Sequence, residues 1–109
     1  MIKILSIDDE KIFHNMIIHA LKGGDYQVET ALNGNEGIQK ARAFKPDLII
    51  TDLNMPGMSG WDVLATLKAG TDTVALPVIA LSGNASDEDR QKGAAAGFSG
   101  FVGKPLDMA

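Results

Sequence analysis

The sequence predicts an α/β fold in which a parallel sheet carries helices on both faces. Five short apolar or β-branched runs alternate with segments of helical periodicity, and each crossover is long enough for a βαβ unit. The polar residues Asp8, Asp9, Asp52, Ser82 and Lys104 all fall at the ends of these runs. In open α/β sheets ligands collect outside the carboxyl ends of the strands, so the third observation concerns function as well as fold.

The first run is Lys3 to Ile7, and it ends in Asp8, Asp9 and Glu10. From Lys11 to Lys22, Ile12, Phe13, Met16, Ile17, Ala20 and Leu21 recur at helical spacing until Gly23-Gly24 stops the helix. That phase leaves His14, Asn15 and His19 on the solvent side, and the i, i+5 spacing of the histidines does not stack them as a metal pair. Gln27 to Ala31 is the second run. Asn33-Gly34-Asn35 then offers turn and cap chemistry for a helix through Ile38, Ala41 and Phe44, ended by Lys45-Pro46.

The third run, Leu48 to Asp52, delivers a carboxylate onto a loop that Pro56 and its glycine and serine neighbours keep from becoming helix. Alone, Asp52 reads equally as a turn or cap residue and as a chemical group. Ser59 with Asp62 has capping-box spacing and opens a helix that buries Val63, Leu64 and Leu67, with Trp61 partly covered. A polar connection from Gly70 to Pro77 leads to the fourth run, Val78 to Leu81, which ends at Ser82. Ser86 with Asp89 repeats the capping box, but the helix it opens is small and polar. Its Gly93 costs about 1 kcal/mol relative to alanine, so this helix is expected to be the loosest. Gly100 to Val102 is the last run, followed by Lys104-Pro105.

At 109 residues the chain is one domain, and its 45% hydrophobic and 22% charged content is that of a soluble globular protein. Without cysteine there is no disulfide framework, thiolate zinc site or thiol nucleophile, and a cytoplasmic location is expected. The N-terminal apolar run is too short for a signal peptide or a membrane span. A net charge of -4 disfavours nucleic acid as a partner of this domain.

Carboxylates crowded at one sheet edge repel, and a divalent cation relieves that repulsion. Oxygen ligands select a hard ion such as Mg²⁺, which keeps waters and leaves room for a phosphoryl oxygen. A carboxylate nucleophile, a metal, the Lys104 ammonium and the Ser82 hydroxyl together suit phosphoryl transfer to Asp52.

Asp8-Asp9, Asp52 with Met55-Pro56 and Gly60, Ser82, and Lys104-Pro105 resemble the receiver domain of bacterial two-component response regulators, chemotaxis regulators among them. The separations of 43, 30 and 22 residues between Asp9, Asp52, Ser82 and Lys104 are those of that family. The resemblance spans residues 1–109 and implies a flavodoxin-like, doubly wound sheet of strand order 2-1-3-4-5. It implies that Asp52 accepts a phosphoryl group from a phosphohistidine on a histidine kinase or phosphotransfer protein. Asp9, Asp52 and the Asn54 backbone carbonyl would hold Mg²⁺, and Asp8 would act mostly through water. Lys104 would pair with phosphoryl oxygens, and Ser82 would turn inward to bond one. Phe101 matches the aromatic switch position, whose rotamers would reshape the surface of the fourth helix and fifth strand toward an output partner. Asn54 and Asn84 match positions that tune the phosphoryl lifetime, and the Lys104-Pro105 bond would be cis. Such a domain is a phosphoacceptor rather than an enzyme.

Family members usually continue through a fifth helix, whereas here Leu106 to Ala109 follow the Lys-Pro turn. An apolar strip of sheet would then lie open, and dimerisation through it is the expectation. Two other functions fit parts of the pattern. A haloacid-dehalogenase-like phosphatase also forms an aspartyl phosphate on Mg²⁺, but wants an acid where this chain has Asn54. A receiver-like interaction scaffold without phosphorylation would have no need to keep repelling carboxylates.

Overall fold

A computed structural model describes residues 1–83 and 86–103. The strands are β1 (Ile2–Ile7), β2 (Tyr26–Ala31), β3 (Leu48–Asp52), β4 (Val78–Ser82) and β5 (Gly100–Gly103). Between them run α1 (Lys11–Ala20), α2 (Gly34–Phe44), α3 (Gly60–Ala69) and α4 (Asp87–Ala96). All strand pairings are parallel and the order is β2-β1-β3-β4-β5. The chain winds one way from β1 to β2 and the other way from β3 onward, so the crevice of a doubly wound sheet opens between the ends of β1 and β3. Asp8 follows β1 and Asp52 ends β3, which brings residues far apart in sequence to that crevice.

The helix boundaries have local causes. Asn33 caps α2 by accepting from the Glu36 N–H at 2.8 Å, and Ser59 and Ser86 form full capping boxes with Asp62 and Asp89. Lys45 ends α2 in the left-handed region, φ 52°, immediately before Pro46. The core lies between the sheet and α2 and α3, where Ile7, Ile49, Val63, Leu64, Leu67, Val78 and Ala80 are buried. Gly37 lets α2 approach β1 closely, since a Cβ there would fall 2.4 Å from Ile7 Cδ1.

Two expectations for α1 are corrected. Ile12 is 62% exposed, and His14, expected at the surface, is only 4% exposed. The inward stripe is Phe13, His14, Met16, Ile17 and Leu21, a phase that seats the histidine against β1 and leaves Ile12 and Ala20, both expected inward, exposed. The helix also stops at Ala20 rather than Lys22, with Leu21 as its C-cap. On the α1 side of the sheet, Ile4, Ile17, Ala20, Leu21, Tyr26, Leu48 and Ile50 line an apolar groove of about 300 Å³. Among the described residues no helix is long and apolar enough to cross a membrane.

Candidate functional site

Three carboxylates meet at the ends of β1 and β3. One ligand oxygen from each of Asp8, Asp9 and Asp52 can be chosen so that all lie within 4.8 Å of one another. Asp8 is 1% and Asp52 5% exposed, whereas Asp9 faces solvent. The donors are all oxygen, two of them in the wall and one at the mouth, which fits a small hard cation that keeps part of its water shell.

Backbone geometry aims these groups. The Asp8 N–H extends the β1–β2 ladder by donating to the Ala31 carbonyl at 3.0 Å, and Asp8 Oδ1 accepts from the Glu10 N–H at 3.0 Å. Asp52 Oδ1 lies 3.4 Å from the Asn54 N, a long bond that turns the carboxylate toward the loop. Beyond Asp52 the chain folds back so tightly that the Gly60 N–H donates to the Leu53 carbonyl at 2.9 Å. A Cβ on Gly60 would fall 2.3 Å from the Asp52 carbonyl oxygen. Glycine is what allows α3 to begin directly under the end of β3.

Ser82 is buried at the end of β4, one residue beyond Leu81, which pairs with Asp52. Phe101, on β5, packs edge-on against Phe98 with centroids 5.8 Å apart, and Phe98 packs edge-on against Trp61 at 5.3 Å. The Arg90 guanidinium lies 5.8 Å from the centre of the Phe101 ring. Gly93 of α4 makes room for that ring, because a Cβ there would fall 2.2 Å from Phe101 Cε2. The glycine read as a weakness of α4 is therefore the slot in which Phe101 sits.

Lys104, Asn84 and the Lys104-Pro105 bond lie outside the described residues. The structure thus brings together the acid cluster, with Ser82 on the adjoining strand, and sets Phe101 in an aromatic group beneath α4. Sequence reasoning missed Phe98, whose signal was an aromatic residue just past Gly97, the αL cap of α4. It also missed His14, which binds the carbonyl of Asp8.

The receiver-domain pattern of response regulators matches residues 4–109. The chain belongs to the response regulator receiver family. It is 35% identical over 107 residues to the probable transcriptional regulatory protein TcrX of Mycobacterium tuberculosis, covering 98% of this chain and 45% of that protein. It is 36% identical over 104 residues to the cell cycle response regulator CtrA of Brucella ovis, covering 95% and 44%. The chain therefore spans less than half the length of these two relatives. Among solved structures it resembles the chemotaxis protein CheY4 of Vibrio cholerae, with a TM-score of 0.91 and 34% identity over 99% of this chain and 90% of that one. It also resembles the receiver domain of a signal transduction histidine kinase from Syntrophus aciditrophicus, with a TM-score of 0.85 and 30% identity over 99% and 82%. The parallel order of the sheet is that of the family fold.

Proposed function

We infer that this receiver domain, read as spanning residues 1–109, is a phosphoacceptor in a two-component phosphorelay and that Asp52 is the acceptor. The observation that carries the reading is the convergence of Asp8, Asp9 and Asp52 at the crevice between β1 and β3. A carboxylate oxygen of Asp52 attacks the phosphorus of a phosphohistidine on a histidine kinase or phosphotransfer protein. The P–N bond breaks as the O–P bond forms, and the departing imidazole nitrogen takes up a proton from solvent. The aspartyl phosphate formed is later hydrolysed, so the domain assists its own modification without turning over an external substrate.

Asp8, Asp9, Asp52 and the Asn54 backbone carbonyl would hold Mg²⁺. When bound, the ion offsets the carboxylate repulsion and draws charge from the phosphoryl oxygens. Lys104 supplies a second positive charge, and the Ser82 hydroxyl donates to a phosphoryl oxygen. Ser82 and Phe101 then move together, and the surface of α4 and β5 presents the altered state to an output partner. A phosphoryl group bonded only in one arrangement shifts the equilibrium by no more than its differential interaction with the two. The setting proposed is the cytoplasm.

Incubation with acetyl phosphate and Mg²⁺ tests the chemistry by intact mass. The wild-type chain is expected to gain one phosphoryl group, and EDTA or Asp52→Ala to prevent the gain. A folded wild-type chain that gains nothing overturns the reading in favour of a phosphate-independent scaffold.

A further inference from the structure

His14 stands one turn into α1 and is sealed from solvent, yet it is neither a metal ligand nor an apolar packing residue. Both ring nitrogens are engaged. Nε2 lies 2.8 Å from the carbonyl oxygen of Asp8, and Nδ1 lies 2.8 Å from the Ser6 hydroxyl. A carbonyl only accepts, so Nε2 carries the proton and donates it. In the neutral ring Nδ1 is then the acceptor, and Ser6 Oγ–H donates to it. Ser6 is itself buried on β1, two residues before Asp8. The imidazole thus ties the β1 strand, the turn after it and α1 into one unit.

Within that turn Asp8 Oδ1 also accepts from the Glu10 N–H at 3.0 Å. α2, α3 and α4 each begin with a side-chain cap, whereas Glu10 at the start of α1 makes none, and no acid lies in the first turn of α1. Yet this turn carries Asp8 and Asp9, two of three acids held within 4.8 Å. Mutual repulsion drives such a turn open in the absence of a cation. A donor fixed on the Asp8 carbonyl resists that motion, because the peptide leading from Asp8 to Asp9 cannot rotate without breaking the bond.

We propose that His14 is a positioning residue for the cation and phosphoryl site, holding the Asp8–Asp9 turn in its ligating geometry through Nε2–H. The proposal rests on the phosphoacceptor reading for its purpose, but it is tested on metal affinity, which stands apart from phosphorylation. Groups that orient metal ligands from behind typically change affinity 10–100-fold when removed.

The test is Mn²⁺ titration of the full chain followed by electron paramagnetic resonance of free Mn²⁺, with folding confirmed by circular dichroism. His14→Ala is expected to weaken Mn²⁺ binding at least about tenfold. His14→Gln places an N–H near the position of Nε2 and is expected to restore most of the affinity. His14→Asn places its amide near Nδ1, within reach of Ser6 but short of the Asp8 carbonyl, and is expected to resemble alanine. A role confined to core stability would lower the melting temperature of all three variants and leave their Mn²⁺ affinities equal. Ser6→Ala, a milder change, is expected to weaken binding by a smaller factor and serves if His14→Ala fails to fold. Wild-type affinity in His14→Ala or Ser6→Ala, or no difference between Gln and Asn, overturns the proposal. A wild-type chain that binds Mn²⁺ with these variant effects but takes no phosphoryl group overturns the phosphoacceptor reading and leaves His14 as an orienting group of a cation site. Failure of the wild-type chain to bind Mn²⁺ overturns both.

Discussion

Replacing Gly60 by alanine should damage stability and chemistry together, because the added methyl meets backbone rather than a movable side chain. The Cβ would lie 2.3 Å from the Asp52 carbonyl oxygen, 2.8 Å from Leu53 Cα and 3.0 Å from the Asp52 carbonyl carbon. Opening the shortest of these to an ordinary contact of 3.4 Å requires a displacement of about 1 Å. The bond from Gly60 N–H to the Leu53 carbonyl, 2.9 Å, tethers the two segments at the point of collision. Overpacking costs about 1–3 kcal/mol, and rigid backbone places this site near the upper end. Alanine recovers up to about 1 kcal/mol of helix preference, which leaves a net loss of about 2 kcal/mol. For a domain of this size that corresponds to a melting temperature lower by about 8–16 °C. The displaced group is the peptide of Asp52, the proposed acceptor, and a 1 Å misplacement of a reacting group can cost on the order of 100-fold in rate. Thermal denaturation and the acetyl phosphate reaction rate measure the two effects. Gly100→Ala is the control, since its nearest neighbour, Ile79 Cγ1, is 3.7 Å away. Gly60→Ala melting with the wild type and reacting at its rate would refute the geometric argument.

Four further outcomes follow from the same structure. Mg²⁺ at ten times its dissociation constant should stabilise the wild-type chain by about 1.4 kcal/mol in urea titrations, and Asp52→Asn should lose most of that increment. Ser59→Ala removes the α3 capping box and should cost about 1 kcal/mol, whereas Glu10→Ala, at a helix start without a side-chain cap bond, should be near neutral by the same assay. Gly93→Ala should drive Phe101 out of its slot and separate the aromatic rings, raising acrylamide quenching of Trp61 fluorescence. Hydrogen exchange should find the amides of α4 the least protected of the four helices, because Gly93 is its sole buried residue among those described.

Much of this was legible because it is written in local chemistry. Leu48 to Asp52 is a strand ending in an acid, and Ser59 with Asp62 and Ser86 with Asp89 mark helix starts that the structure places one residue later, at Gly60 and Asp87. The acids at separate strand ends become a cluster once the runs are arranged as a parallel sheet, so the meeting of Asp8, Asp9 and Asp52 followed from the fold class. The phase of α1 was not legible. Ile12 with Met16 and Phe13 with Ile17 support adjacent rotations, and a histidine's polarity argues for the one that exposes it. The competing term is tertiary: two buried partners at 2.8 Å, one of them a backbone carbonyl that leaves no mark in the sequence. Gly93 misled for a related reason, since glycine signals conformational cost locally while its role here is the space it leaves for Phe101, eight residues away.

The most direct test of Asp52 as acceptor is chemical trapping. Borohydride reduces an aspartyl phosphate to homoserine, and peptide mapping by mass spectrometry after reaction with acetyl phosphate and Mg²⁺ locates the reduced residue. Homoserine at position 52 alone is the expected result. Homoserine at Asp8 or Asp9 with Asp52 unmodified would contradict the assignment, and none anywhere in a folded, metal-loaded chain would contradict phosphoacceptor chemistry altogether.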